Sequence, residues 1–204
     1  MNRKFLSGTF GLIATVAMVA AAGTGGATAS ADPDAPQQPA NTAAVPIRSG
    51  NPLDVQPSKG PRPVSIRVGD LNLDASVIPV GVDDEKRLDV PSADLVGWYQ
   101  YSATPGETGT TVLAAHVDYG GEEGVFFNLD QLQINQRFEV ELEDGSIRQY
   151  QVTANSTYNK VDLPGEELFR KDGEPTLQLV TCGGEFDADA RSYEANVVVS
   201  AVPV

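Results

Sequence analysis

The chain of 204 residues contains one cysteine, Cys182, and one histidine, His116. A thiolate is a strong nucleophile and an imidazole exchanges protons near neutral pH, so together they can perform acyl transfer through a covalent intermediate. Cys182 follows an apolar run at residues 177–180, and His116 follows another at residues 111–115. Glycine-rich sequence comes next in both cases. Each residue is therefore expected where a buried strand leaves the core and a side chain can meet a substrate.

The N-terminal residues indicate the compartment in which this chemistry takes place. Arg3 and Lys4 precede an uncharged run at residues 5–31, which is most apolar at residues 10–22 and ends in Ala-Ser-Ala. A basic flank, an apolar core and a small-residue cleavage site predict export. The run suits a cleaved signal peptide, and its full length also suits an uncleaved anchor whose basic flank stays in the cytoplasm. Residues 1–31 are thus expected to be a signal peptide or an N-terminal membrane anchor.

Export narrows the meaning of a single cysteine. One thiol cannot form an internal disulfide, and outside the cell it risks oxidation and mispairing. Cys182 is therefore a nucleophile, half of an intermolecular disulfide or a small buried hydrophobe. A lone histidine is ordinarily a surface or core residue, but two unique residues that each end an expected central strand favour a Cys/His pair.

The composition changes along the rest of the chain. Residues 32–60 are rich in Pro, Ala, Gln, Ser and Gly and lack apolar periodicity, which is typical of a flexible tether. Residues 61–204 are long enough for one domain with its own core, and they contain no visible internal repeat. We expect this segment to be the catalytic domain.

The charge of the chain excludes some partners. Two of the 14 basic residues lie in the first 31 residues, which leaves 12 basic against 28 acidic residues and a formal charge of −16 for the remainder. Nucleic acid and anionic lipid are therefore unsuitable partners, and the acidity is typical of a solvated extracellular surface. Asp83-Asp84-Glu85 and the pair Asp187 and Asp189 lack the spacing of a calcium loop. We assign no metal and no cofactor.

Apolar periodicity predicts an all-β domain. Alternation of apolar and polar residues predicts half-buried strands at residues 64–68, 73–80, 138–142 and 147–152. An Asp-Gly pair predicts a hairpin between the last two of them. More continuous apolar runs predict strands at residues 111–115, 176–180 and 196–202. Short helical patterns occur at residues 91–97, 125–132 and 165–169. Many short strands with a few short helices indicate a closed or nearly closed β-barrel.

Arg191 is a candidate for the third functional group. Acyl transfer needs a hydrogen-bond donor or positive charge where the carbonyl oxygen becomes negative, and a guanidinium supplies both. Arg191 follows Cys182 by nine residues, so it can return beside the thiol if residues 183–187 form a loop before the last strand. The ordinary alternative is an ion pair with Asp187 or Asp189.

Three motifs, in this order along the chain, resemble the sortase family. TTVLAAHVD at residues 110–118 resembles the strand that carries the family's histidine, and LVTC at residues 179–182 looks like its LxTC motif. Arg191 precedes a terminal valine-rich strand, as the family's arginine does. Similarity covers nearly everything after residue 61 and is greatest to actinobacterial class F sortases; it includes residues 78–82, 91–99 and 124–132 and the acidic hairpin that follows.

The resemblance implies an eight-stranded sortase β-barrel and a cysteine transpeptidase, an enzyme that acts on peptide bonds. Cys182 would attack the carbonyl between Thr and Gly of an LPxTG-like sorting signal on a surface protein and form a thioacyl-enzyme. His116 would protonate the leaving amine, and Arg191 would stabilise the oxyanion together with a backbone N–H near the thiol. An amine of peptidoglycan or a pilin lysine, or water, would resolve the intermediate.

The same resemblance implies a place in the cell and leaves alternatives. A Gram-positive sortase works at the extracellular face of the cytoplasmic membrane or in the cell wall, and this chain would be secreted if its N-terminal segment were cleaved. Contact with the membrane is expected only through that segment. Ala115 stands where many relatives have glycine, and the interval from Cys182 to Arg191 is shorter than in the best-known class. An exported β-barrel binding module with a buried cysteine, and a peptidase that only hydrolyses, remain open.

Overall fold

The computed structural model describes residues 56–84 and 87–204. The predicted signal peptide or anchor at residues 1–31, and most of the predicted tether at residues 32–60, lie outside the described residues. Among the residues that are described, no helix combines the length and the hydropathy that a membrane crossing requires.

The described chain forms a closed eight-stranded β-barrel and a separate two-stranded ribbon. Its strands are β1 (Pro63–Val68), β2 (Leu73–Val80), β3 (Val96–Tyr99), β4 (Thr110–Ala114), β5 (Asp118–Tyr119), β6 (Glu122–Glu123), β7 (Arg137–Leu142), β8 (Ile147–Asn159), β9 (Thr176–Asp187) and β10 (Ser192–Pro203). The barrel order is β1-β2-β3-β4-β9-β10-β8-β7, and β5 pairs with β6 separately. The helices are α1 (Gly165–Leu168) and 3-10 turns at Gly69–Leu71, Leu129–Gln131 and Lys160–Asp162. The predicted all-β barrel with a few short helices is confirmed.

Two hydrophobic clusters cover opposite faces of the central strands. Leu177 and Leu179 of β9 face the barrel interior, where they join Trp98 and Phe126 in the larger cluster. Val180, on the opposite face of β9, belongs to a second cluster outside the barrel. Because successive residues of a strand point to opposite faces, a strand buried on both sides is continuously apolar. This double burial explains why β4 and β9 were recognisable as central strands in the sequence.

Two predicted helices are absent from this barrel. Residues 91–97 run into β3, and residues 125–132 contain only the 3-10 turn Leu129–Gln131. Strand β3 has four residues, all buried, which is too short to show a period of two. Its Gly97 has no room for a side chain, because an added Cβ would lie 2.9 Å from Val80 Cγ2. Tertiary packing therefore overrides the local helical pattern. The helix predicted at residues 165–169 is present as α1.

The loop predicted at residues 183–187 is also wrong. β9 continues through Asp187 and β10 begins at Ser192, so the two strands form one long hairpin. The Gly183-Gly184 pair suggested the end of a strand, but Gly184 has φ +77° at an irregularity where the pairing register of the two strands shifts. A glycine in this conformation accommodates a β-bulge, which bends a strand without ending it.

The chain packs against the barrel before residue 61, the predicted start of the domain. The Ser58 N–H donates to the Gln100 carbonyl at 2.9 Å. The Ser58 and Thr104 hydroxyl oxygens lie 2.6 Å apart. The folded part of the chain therefore includes residues that the composition had grouped with the tether.

Candidate active site

Cys182 and His116 follow the paired stretch of two neighbouring strands. β4 and β9 are adjacent and parallel, and their paired register ends at Ala114 and Val180. Cys182 lies two residues beyond this point within β9, and His116 lies two residues beyond it, after the end of β4. The two residues predicted from the sequence therefore lie at the same end of this strand pair.

Hydrogen bonds hold the two strands together at this point. The Ala115 N–H donates to the Val180 carbonyl at 3.2 Å. In return, the Thr181 hydroxyl, which is buried, donates to the Ala115 carbonyl at 2.8 Å. The threonine next to the cysteine thus faces away from the site and fixes the strand that leads to His116.

The loop after β6 supports His116 from behind. The Phe126 N–H donates to the His116 carbonyl at 3.1 Å. Gly124 lies so close that an added Cβ would be 2.2 Å from the His116 carbonyl oxygen. Only glycine fits at this distance, because real Cβ atoms do not approach backbone atoms so closely.

The imidazole of His116 is buried close to backbone carbonyls. The residue is 5% exposed, and the nearby carbonyls of Pro91 and Val90 favour the protonated form of its ring. Its ring centre lies 4.9 Å from that of Tyr119. Burial lowers the pKa of His116 below its usual 6.5, and the Pro91 hydrogen bond and the Asp118 carboxylate oppose this shift. The imidazole is therefore neutral at pH 7.

The thiol of Cys182 is free and 3% exposed. Burial raises its pKa above the usual 9.0, the Lys160 ammonium opposes this shift, and the Asp118 carboxylate adds to it. At pH 7 the resting pair consists of a thiol and a neutral imidazole. One proton is shared by two sites, so the thiolate–imidazolium form is a minor tautomer of the same protonation state.

Two contacts hold the hairpin beyond Cys182 from its two sides. The Lys160 ammonium donates to the Ser192 hydroxyl at 2.5 Å. The Tyr193 hydroxyl donates to the Asp118 carboxylate, two residues after His116. Burial together with that carboxylate raises the pKa of Tyr193 to about 12, so the hydroxyl stays a donor. The β9–β10 hairpin is thereby tied to both the turn after β8 and the loop after His116.

The structure does not bring Arg191 to the thiol. Arg191 is exposed, has φ +49° and lies in the turn at residues 188–191. The residue opposite Cys182 on β10 is Asn196, five residues from Arg191. At about 3.3 Å per residue this separation is roughly 16 Å along the strand. Because β9 continues past Cys182, the expected short return to the thiol does not form.

Three residues near the site were not candidates for a functional role in the sequence analysis. Lys160 and Tyr193 stand in polar stretches, and Asn196 is the first residue of the strand predicted at residues 196–202. Only the pairing of β8, β9 and β10 shows that they lie near the thiol. The one sequence signal is Asn196 itself, a polar residue at the start of a run of valines.

Comparisons with known proteins agree on one family. Residues 66–204 match the family model described as the sortase domain. Solved structures similar to this chain include sortase C1 from Streptococcus agalactiae (20% identity, TM-score 0.55, 69% of this chain and 66% of that one). Another is sortase C1 of pilus island 1 of group B Streptococcus (23%, TM-score 0.53, 69% and 64%). A third is a lid mutant of sortase A from Corynebacterium diphtheriae (20%, TM-score 0.54, 76% and 74%).

These matches differ in how much of each chain they cover. The chain spans about two thirds of the length of the streptococcal structures, and at these identities the likeness concerns the fold. No curated protein matches the chain. The family model nevertheless covers all of the barrel from the middle of β1 onward, including Cys182 and His116. The chain belongs to the sortase family.

Proposed function

We propose that this protein is a cysteine transpeptidase that cleaves an LPxTG-like sorting signal between Thr and Gly and transfers the threonine carbonyl to an amine. The observation that carries this proposal is the placement of Cys182 and His116 at neighbouring ends of the paired stretch of β4 and β9. A nucleophile and a proton-transfer group side by side are what acyl transfer requires.

The pKa directions are consistent with a reaction that starts from a thiol and a neutral imidazole. The thiol passes its proton to His116, and the resulting thiolate attacks the threonine carbonyl carbon. The tetrahedral intermediate collapses to a thioester and expels the glycine amine, which takes the proton from the imidazolium. An incoming amine then loses a proton to the neutral His116, attacks the thioester and releases Cys182. Burial of both groups disfavours the charged form, so substrate binding that excludes water must supply part of its stabilisation.

Arg191 is proposed to contact the substrate carbonyls or the oxyanion. Its guanidinium stands on an exposed hairpin turn, so this role requires the hairpin to bend toward Cys182 when the signal binds. Replacing Arg191 with Lys keeps the charge but removes the planar fork of donors. If the role is correct, Arg191→Ala lowers kcat/KM for the peptide more than Arg191→Lys does.

The finer assignment follows from the residues that resemble class F sortases. We propose an actinobacterial class F enzyme that works at the extracellular face of the cytoplasmic membrane or in the cell wall. Its substrates are surface proteins with a sorting signal, and its acceptor is an amine of peptidoglycan or a pilin lysine.

A peptide-cleavage experiment tests the function. The protein is incubated with LPxTG-like peptides, with and without an added amine, and the products are identified by mass. We expect a threonine thioester on the protein, an amide product when amine is present, and loss of both in Cys182→Ala. Free threonine carboxylate in place of the amide, even at high amine concentration, would make the protein a peptidase that only hydrolyses.

One observation favours a second candidate. Cys182 is 3% exposed, as a structural cysteine in an exported binding module would be. Two results would support the binding module. The thiol would resist alkylation at every pH, and Cys182→Ala would change neither the stability nor any activity of the protein. The absence of cleavage for all signal peptides, together with an unreactive thiol, would overturn the transpeptidase proposal.

A further inference from the structure

Asn196 occupies the strand position opposite Cys182. β9 and β10 are antiparallel, and the two residues are Cα partners in their register. Side chains of directly opposite residues point to the same face of a sheet, with Cβ atoms roughly 4.5–5.5 Å apart. The Asn196 carboxamide therefore lies beside the sulfur, and any carbonyl that the sulfur attacks comes within its reach.

The carboxamide is buried without a partner. Asn196 is 0% exposed, and within the part of the chain that the structure describes neither its Oδ1 nor its Nδ2 has a hydrogen-bond partner. Native proteins pair nearly all buried polar groups, because an unpaired one costs free energy. Asn196 interrupts an otherwise apolar segment between Ala195 and Val197. A donor and an acceptor are thus held ready, next to the thiol, for a group that is absent from the free protein.

We propose that Asn196 is a catalytic residue that binds the threonine of the sorting signal through both carboxamide atoms; this inference rests on the transpeptidase function proposed above. The N–H and the C=O of one residue in an extended peptide point to the same side, as in a hydrogen-bonded pair of an antiparallel sheet. Nδ2–H donates to the threonine carbonyl oxygen, and Oδ1 accepts from the threonine N–H. Both unpartnered atoms gain partners, and the carbonyl that is held is the scissile one.

The hydrogen bond to the carbonyl strengthens during the reaction. When the Cys182 sulfur bonds to the carbonyl carbon, the π electron pair moves to the oxygen, which becomes an oxyanion that Nδ2–H stabilises. When the carbonyl re-forms, the C–N bond breaks and the glycine amine takes its proton from His116. Asn196 gains and loses no proton. A donor that is already in place where the charge develops, and where water is excluded, stabilises the transition state more than a donor that must first move there.

The position of Asn196 suits this role better than a turn residue does. Asn196 is paired on both sides, with Cys182 of β9 and with Tyr158 of β8. Arg191 lies five residues away in an exposed turn and reaches the oxyanion only after the hairpin moves. Asn196 therefore supplies the fixed donor and Arg191 the mobile one.

The test compares Asn196→Ala with a matched control, Thr111→Val. Thr111 of β4 is also fully buried, and its hydroxyl also lacks a partner among the described residues, but it shares the face of Leu113 toward the barrel interior. We expect Asn196→Ala to lower kcat for peptide cleavage about 10²- to 10³-fold, the loss typical of an oxyanion donor. KM should change less, and the midpoint of urea unfolding should stay close to that of the wild type. Thr111→Val should keep the wild-type kcat.

A second variant separates donation from packing. Asn196→Asp keeps the shape but replaces the donor with an acceptor, so it should lose at least as much kcat as Asn196→Ala and show no thioester. If the wild type cleaves the peptide and Asn196→Ala keeps kcat within threefold, the inference is wrong and the transpeptidase function stands. A loss of kcat that parallels a large loss of stability would assign Asn196 a structural role instead. If the wild type forms no thioester with any signal peptide, the function itself fails, and the inference with it.

Discussion

Two regions carry the residues of the proposed chemistry, and they differ in burial. One is the end of the paired strands β4 and β9, and the other is the tip of the β9–β10 hairpin. His116 and Cys182 are buried, and the strands that carry them are packed on both faces. Arg191 is exposed, and the neighbouring Phe186 is 52% exposed. Two side-chain contacts, from Tyr193 and Lys160, tie the tip to the rest of the domain.

This difference indicates how the protein divides rigidity and motion. The register of a doubly covered sheet cannot slip without exposing a whole set of apolar side chains, so the ends of β4 and β9 that precede His116 and Cys182 keep their relative position. The tip of the β9–β10 hairpin is exposed and has few buried apolar contacts. It can therefore open at a small cost in free energy. Cys182 and His116 are both nearly inaccessible, so the proposed chemistry requires such an element to move before a substrate can reach them.

Among the changes that compare these two regions, the largest effect is expected from disturbing the rigid region through Gly124. An added methyl group in Gly124→Ala must push the His116 backbone away, because its carbonyl oxygen would be 2.2 Å from the new Cβ. A displacement near 1 Å costs roughly 10²-fold in rate at a reacting group. We expect kcat for peptide cleavage to fall by about this factor. Gly69→Ala is the matched control, since an added Cβ there meets nothing within 4 Å. Equal activity of both variants would contradict the packing argument.

An intermediate effect on kcat/KM is expected from changing the pH, because pH sets the protonation of Cys182 and His116. Both groups become protonated as the pH falls through the His116 pKa, below 6.5, and both lose their protons as it rises through the Cys182 pKa, above 9.0. The reactive pair carries one proton, so kcat/KM should be level between these limits and fall about tenfold per pH unit beyond either. Lys160→Gln removes the ammonium that lowers the thiol pKa, so its alkaline limb should move to higher pH. An acid limb centred above pH 6.5 would contradict this description.

The smallest effect is expected from loosening the hairpin tip. Tyr193→Phe removes the hydroxyl that donates to Asp118 but leaves the aromatic contact with Phe186, whose ring centre lies 5.2 Å away. The loss of one partly exposed hydrogen bond should lower the free energy of unfolding by less than about 1 kcal/mol. We expect alkylation of Cys182 to become a few-fold faster, because the tip opens more often. Tyr101 packs against the second cluster outside the barrel, and Tyr101→Phe should leave the rate of Cys182 alkylation unchanged. A slower reaction in Tyr193→Phe would show that the contact holds the site open.

The barrel was largely predictable, and the positions of Cys182 and His116 at the ends of buried runs were recognisable, because these signals are local. Alternation located β1, β2 and β7, and continuous apolar runs located β4 and β9. Strand β3 was missed since four buried residues show no period, and β8 was cut short because its last seven residues are mostly polar. The Gly183-Gly184 pair predicts the start of a loop, but in the structure one of these glycines lies where the strand register shifts and the strand continues. Arg191 therefore lies in the turn at the end of a long hairpin.

The sequence by itself determined that one thiol and one imidazole end two buried runs, and it predicted an export signal and a β-barrel domain. Composition and periodicity are sufficient for this, since burial and strand faces depend on neighbouring residues. Only the tertiary structure decided that β9 continues beyond Cys182, that Arg191 lies at a turn and that Asn196 is the strand partner of Cys182. These facts depend on the register between distant strands, which is set by the packing of both partners and by the bend in their hairpin.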